Sequence, residues 1–147
     1  MHQNLQVMTQ EEKAFVGVRR LQVPKNVDER GALSVLEGDV DIPFKVARVF
    51  WITDVPAGQR RGGHAHWTCH EAVFAVAGAV SITIETAEGR EDVTLRASNE
   101  GVLIPAGAWC ELYDFEPNTV LVVMASEPYR PEGYCHEKDS WQRIKNG

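Results

Sequence analysis

Two histidines separated by one residue, His64-Ala65-His66, are the first sign of chemistry in this chain, and Glu71 follows them. Residues two apart in an extended segment face the same side, so the spacing predicts that both imidazoles are presented to one cavity. Glu71 can return to that cavity on the next strand, and Gly78 allows a tight turn after it. Imidazole titrates near neutrality, which suits a pair of them to proton transfer. The same pair with a carboxylate also resembles half of a metal site. For Glu71 two roles stay open: a hydrogen bond that holds one histidine tautomer, or direct contact with a ligand. His70 adjoins Glu71 in an alternating segment and is expected to face away.

These residues need strands to hold them, and the sequence supplies strands. The clearest alternation runs from Ala79 to Glu85, with Val80, Ile82 and Ile84 on one face and Ser81, Thr83 and Glu85 on the other. Ala87-Glu88-Gly89-Arg90 reads as a hairpin turn, and Glu91 to Leu95 as the returning strand. Further strands are expected at Ala32 to Leu36, Lys45 to Thr53 and Val102 to Ile104, the last stopped by Pro105-Ala106-Gly107. Thr119 to Ala125 is nearly continuous in apolar residues, the pattern of a strand covered on both faces. Residues 10–20 fit a helical turn or an opening strand equally well. Pro56 to Gly63 is a glycine-bearing loop. Short strands with turn signals at regular intervals predict an all-β sandwich or barrel. The polar, aromatic tail after Ser126 fits either a surface wrap or docking on a neighbour.

The bulk properties bound the function. The chain has 147 residues and a net charge of −6, which argues against nucleic acid as its main partner. No segment is long and apolar enough for a membrane span, so no membrane partner is expected. Three cysteines (Cys69, Cys110 and Cys135) without CxxC spacing predict reduced thiols in a cytoplasmic protein. Met1-His2-Gln3-Asn4 opens no basic and apolar leader, so no signal peptide is expected. No repeat or linker stands out, so residues 1–147 are expected to form one domain, with the first ~25 residues an exchanged or peripheral strand.

From Gly58 to Gly78 the chain reads G-x5-H-x-H-x4-E-x6-G, which matches the first motif of the cupin superfamily without a mismatch. The resemblance implies a jelly-roll β-barrel. The second cupin motif is partly present as Pro105-Ala106-Gly107-Ala108-Trp109, with Cys110 where metal-binding cupins carry a histidine ligand. A thiolate narrows the choice of metal toward softer ions. His64, His66, Glu71 and Cys110 still compose a zinc-like set, but a metal-free site, with no cofactor, is the preferred expectation. Cys110 reads equally as a small buried hydrophobe.

A narrower resemblance covers about residues 25 to 141. Asp28-Glu29-Arg30-Gly31-Ala32-Leu33, Glu37 to Phe44, Arg48-Val49, Arg61 to His66, Trp109 to Phe115, and Ala125-Ser126-Glu127 with Tyr129 and Tyr134 look like the nucleotide-sugar 3,4-ketoisomerases that act on dTDP-4-keto-6-deoxyglucose. That likeness implies a metal-free homodimer with exchanged N-terminal strands, on a route to 3-amino-3,6-dideoxyhexoses. It implies His64 as catalytic base and His66 as its partner. It implies a substrate site with Arg48, Arg61, Trp109 and Tyr134, to which Glu71, Cys110 and Tyr113 are added as candidates. Arg60 is assigned to solvent. Trp109 and Phe50 would be core residues on composition alone, and only the resemblance raises Trp109. Tyr113 fits the cavity mouth or a strand end. Three departures stand out: Phe50-Trp51 replaces the family's Tyr-Tyr, Cys110 a histidine, and Tyr134-Cys135-His136 its Tyr-Ile-Arg.

Moving a keto group from C4 to C3 needs a base near neutrality, an enediolate and a proton returned at C4. The rivals are a nucleotide-sugar 3- or 5-epimerase, a metal-dependent cupin enzyme and a non-catalytic sugar binder.

Overall fold

The computed structural model describes residues 17–146, with the side chain of Asn146 excepted. The first sixteen residues, including part of the ambiguous 10–20 segment, lie outside it. Twelve strands follow in chain order: β1 Arg19–Gln22, β2 Lys25–Asp28, β3 Gly31–Ser34, β4 Arg48–Ile52, β5 Arg61–His66, β6 Glu71–Ala77, β7 Val80–Thr86, β8 Gly89–Leu95, β9 Glu100–Ile104, β10 Trp109–Tyr113, β11 Val120–Ala125 and β12 Tyr134–Cys135. Among the described residues one α-helix, α1 Lys138–Asn146, follows β12.

The strands form two five-stranded antiparallel sheets, ordered β1-β9-β6-β11-β4 and β12-β5-β10-β7-β8, with β2 and β3 as a separate hairpin. This is the all-β jelly roll expected, although hydrogen bonds do not close the two sheets into one barrel. Period-two alternation builds the core between them. Val80, Ile82 and Ile84 are fully buried and meet Val102, Leu121 and Val123 of the facing sheet. β11 departs from its expected double burial. Leu121, Val123 and Ala125 are buried, while Val120, Val122 and Met124 are only half-covered.

Each sheet also has an outer cover. Ile42 and Phe44, with Leu36 and Val46, pack on Ala72, Phe74 and Leu103 of the first sheet. The second sheet is covered by α1, whose Trp141 is 2% exposed. Trp141 packs on Trp109 with ring centroids 5.7 Å apart, and its Nε1 donates to the Gly107 carbonyl at 2.7 Å. The tail therefore folds back on its own sheet. Among the described residues no helix is long and apolar enough to cross a membrane.

Candidate active site

A cavity of about 320 Å³ opens between the two sheets. Strand parity selects its walls. On β4, Arg48, Phe50 and Ile52 point inward, leaving Val49 and Trp51 exposed. On β10, Cys110 and Leu112 point inward. Phe50, Ile52, Val73, Ile104, Leu112 and Val123 make an apolar wall, and Arg61, His64, Glu71, Cys110, Tyr134 and His136 bring polar atoms to it.

Arg61 reaches the cavity through a backbone irregularity. His64 and Arg61 are three apart, so a regular strand would turn them to opposite faces. The pairing of β10 with β5 slips between Cys110 (opposite His64) and Glu111 (opposite Gly62), which leaves Gly63 unpaired as a bulge. The extra residue restores Arg61 to the side of His64. Gly62 (φ 85°) and Gly63 (φ 74°) adopt the left-handed backbone that the bulge needs. A Cβ on Gly62 would sit 2.8 Å from the Cys110 carbonyl oxygen.

The final segment closes the site. Tyr134 lies opposite His66, and Cys135 opposite Ala65, so the antiparallel register carries His136 toward His64. Four rings result. The centroid of His64 lies 5.1 Å from those of His66 and Tyr134 and 5.8 Å from that of His136. Tyr134 packs over His66 at 4.4 Å and stacks nearly parallel to His136 at 5.6 Å.

The charges follow from burial. Desolvation holds the His64 pKa below its ordinary value. The charges of His66 and His136 act the same way, while Glu71 and a Gly62 backbone interaction oppose them. His64 is thus poised as a neutral base. Glu71 is 8% exposed, and its Oε2 lies 3.1 Å from His66 Nε2. That contact is not a hydrogen bond, and His66 Nε2 has no hydrogen-bond partner among the described residues. Burial pushes the Cys110 thiol up, with Glu71 and Glu111 adding to the effect, so it is held neutral. Among the described residues, no three His, Cys, Asp or Glu side chains are grouped to hold a metal ion.

Several expected site residues stand elsewhere. Trp109 and Tyr113 do not line the cavity, because the parity that turns Cys110 inward turns both of them outward. Trp109 is buried under α1, and its Nε1 donates to Glu111 at 3.1 Å. Tyr113 lies beneath the Arg60 guanidinium, which pairs with Glu111 at 2.9 Å. Arg60, assigned to solvent, is therefore an outer-face ion-pair partner. His66 is 7% exposed and sits behind the cavity wall, covered by Tyr134. Arg48 borders a small hollow beside the cavity with His66, Glu127 and Tyr134, its guanidinium between the rings of Phe50 and Tyr129. His70 faces away as expected, its Nδ1 accepting from the Ala106 N–H at 2.9 Å. His136 was overlooked as a site residue, although its spacing from Tyr134 repeats the period of two that linked His64 to His66.

A jelly roll with a histidine in an apolar cavity between its sheets, and an arginine at the cavity rim, defines a cupin-type small-molecule site. The chain belongs to the family described as FdtA: WxcM-like, C-terminal, which matches residues 16–146. It is 28% identical over 119 residues to the TDP-4-oxo-6-deoxy-alpha-D-glucose-3,4-oxoisomerase of Aneurinibacillus thermoaerophilus, across 81% of this chain and 86% of that one. Its fold is similar to that of QdtA, a sugar 3,4-ketoisomerase from Thermoanaerobacterium thermosaccharolyticum in complex with TDP. The TM-score is 0.85 at 30% identity, covering 88% of this chain and 94% of that one. A mutant of the same enzyme is known in complex with TDP-4-keto-6-deoxyglucose. A 3,4-ketoisomerase from Helicobacter canadensis gives a TM-score of 0.86 at 27% identity, covering 90% of this chain and 99% of that one.

Proposed function

We propose that this protein is a sugar-nucleotide 3,4-ketoisomerase acting on TDP-4-keto-6-deoxyglucose. The observation that carries the reading is His64, an imidazole kept neutral by burial in an apolar-walled cavity, in a chain whose relatives perform this reaction. The apolar wall suits the C6 methyl of a 6-deoxy sugar. Arg61, exposed at the rim, is suited to pair with the diphosphate. Cys110 and Tyr134 are assigned to the sugar, and Glu71 and His66 to positioning and tuning His64. Arg48 acts from beside the cavity by holding Phe50 and Tyr129.

In this proposal His64 takes the proton from C3. The C–H bonding pair becomes the C3=C4 double bond, and the carbonyl pair moves onto O4. The O3 proton is transferred to O4, the C3 carbonyl forms, and C4 receives a proton from the His64 imidazolium. C3 is oxidised as C4 is reduced within one molecule, so the reaction balances without an external oxidant. The test is an NMR time course with TDP-4-keto-6-deoxyglucose, coupled to a 3-aminotransferase that traps the 3-keto product. Trapped product carrying solvent deuterium at C4, with deuterium at C3 of recovered substrate, supports the reading. Deuterium at C5 without trapping overturns it in favour of a 5-epimerase.

The pH profile supplies a further check. Protonation removes the base, so the acid limb of kcat/KM is expected below 6.5, the ordinary imidazole value. Glu71 raises the His64 pKa, so Glu71→Gln is expected to move that limb to still lower pH. A limb that stays put or rises counts against His64 as the titrating base.

The working assembly in this proposal is a homodimer located in the cytoplasm. All eight residues of β2 and β3 are exposed, including Val27 at 70% and Leu33 at 63%. An isolated two-stranded hairpin is marginal in water, so a partner subunit is the natural cover. The expected exchange falls on the first ~25 residues, of which 1–16 lie outside the described residues and β1 pairs with β9 of its own chain. The exposed β2–β3 hairpin is proposed in its place as the segment that reaches the partner. Three buried, unpaired cysteines fit a reducing compartment. Sedimentation is expected to give a dimer, and Val27→Asp with Leu33→Asp a monomer. A wild-type monomer at working concentration sinks this part.

A further inference from the structure

The oxygen-to-oxygen transfer needs its own acid–base group, and the structure assigns it to His136. We propose that His136 is a catalytic residue that accepts the O3 proton and hands it to O4 while His64 handles the carbon-bound proton. This inference rests on the ketoisomerase reading.

Geometry selects His136 over the obvious alternative. His66 is the second histidine of the sequence motif, yet it lies behind the cavity wall under the Tyr134 ring, with Nε2 near Glu71. His136 lines the cavity itself, with its ring centroid 5.8 Å from that of His64. Near-parallel stacking on Tyr134, with 3° between the ring planes, fixes the orientation of the His136 ring. His136 is exposed whereas His64 is half-buried, so the two imidazoles stand at the mouth and the inner wall of one cavity.

The other polar groups of the cavity fit the task less well. Guanidinium does not release its proton in proteins, which leaves Arg61 as a fixed charge. The Cys110 thiol is held neutral, and the Glu71 carboxylate is buried against His66. Imidazole is the side chain that readily gives and takes a proton near neutrality.

The step balances within the cavity. After His64 has taken the C3 proton, the enediolate carries its negative charge on O4. The His136 ring accepts the O3 proton and delivers it to O4, ending as it began. The O3 lone pair then forms the C3 carbonyl while the C3=C4 pair takes the proton of His64 at C4.

The test uses the full-length enzyme with TDP-4-keto-6-deoxyglucose. His136→Ala is expected to lower kcat by about a hundredfold, the lower range for general acid–base groups, with KM nearly unchanged. Because His136 is exposed at the cavity mouth, free imidazole can enter the space left by the ring and is expected to restore about a tenth or more of the lost rate. The wild type should not respond to imidazole. His136→Gln keeps a polar side chain and should show the same loss, which separates proton transfer from packing. A kcat near that of wild type overturns the assignment, as does a loss confined to KM or one that imidazole leaves unrestored. A wild-type enzyme that neither converts the sugar nor exchanges the C3 hydrogen sinks the ketoisomerase reading and this inference together. Normal wild-type turnover with an unaffected His136→Ala sinks only the latter.

Discussion

His64→Asn is expected to lower kcat on TDP-4-keto-6-deoxyglucose by about a thousandfold or more, with TDP affinity and thermal stability nearly unchanged. Asparagine keeps the size and one hydrogen-bonding edge of the ring but has no basic nitrogen. His64 is half-buried, and its neighbours are the rings of His66, Tyr134 and His136 rather than a packed apolar core. Its removal therefore costs chemistry more than folding. The loss should be equal in C3 deuterium exchange and in product formation, because both wait on the same proton removal. Exchange at wild-type rate in His64→Asn would show that another group removes the proton. The assignment of His136 makes a contrasting forecast, since free imidazole has easier access to the mouth than to the inner wall of the cavity.

Gly78→Ala is expected to give the largest loss of stability among the glycine substitutions around the site. Gly78 has φ 74°, and a Cβ there would meet Thr119 Oγ1 at 2.2 Å and Thr119 Cα at 2.6 Å. Thr119 cannot step aside. It is 5% exposed, and its Oγ1 accepts from the Ala79 N–H at 3.1 Å and reaches the Glu116 carbonyl at 2.7 Å. Left-handed strain contributes about 1 kcal/mol and overpacking about 1–3 kcal/mol more. A total of about 3 kcal/mol corresponds to a fall in Tm of about 10 °C for a chain of this size. Gly58→Ala is the internal control. Its φ is 81°, but nothing lies within 4 Å of the added carbon, so only the strain should appear. Equal melting temperatures for the two variants would refute the steric argument. The last position of the G-x5-H-x-H-x4-E-x6-G pattern is a packing requirement, not a functional one.

The outward turn of Trp109 and Tyr113 was legible in principle. Placing Cys110 in the site commits its two odd-numbered neighbours, Trp109 and Glu111, to the other face, and Tyr113 follows by the same alternation. Resemblance to a family carried Trp109 into the site against that rule, and α1 gives the physical reason it stands elsewhere. A large aromatic on an outer sheet face needs cover, and Trp141 supplies it.

What the sequence determined by itself is whatever depends on local period and local backbone geometry. The alternation of β7, the turn at Gly78, and the placement of His64 with Glu71 on one cavity all follow from spacing within a few residues. The tertiary structure decided what depends on neighbours far along the chain. The bulge at Gly63 is defined only against β10, and it alone turns Arg61 toward His64. The choice between the two candidate partners of His64 rests on β12, which arrives some seventy residues later, covers His66 with Tyr134 and sets His136 at the mouth. Spacing can say that two side chains share a face. It cannot say which of them a third strand will bury, because burial belongs to the packed molecule and not to either strand alone.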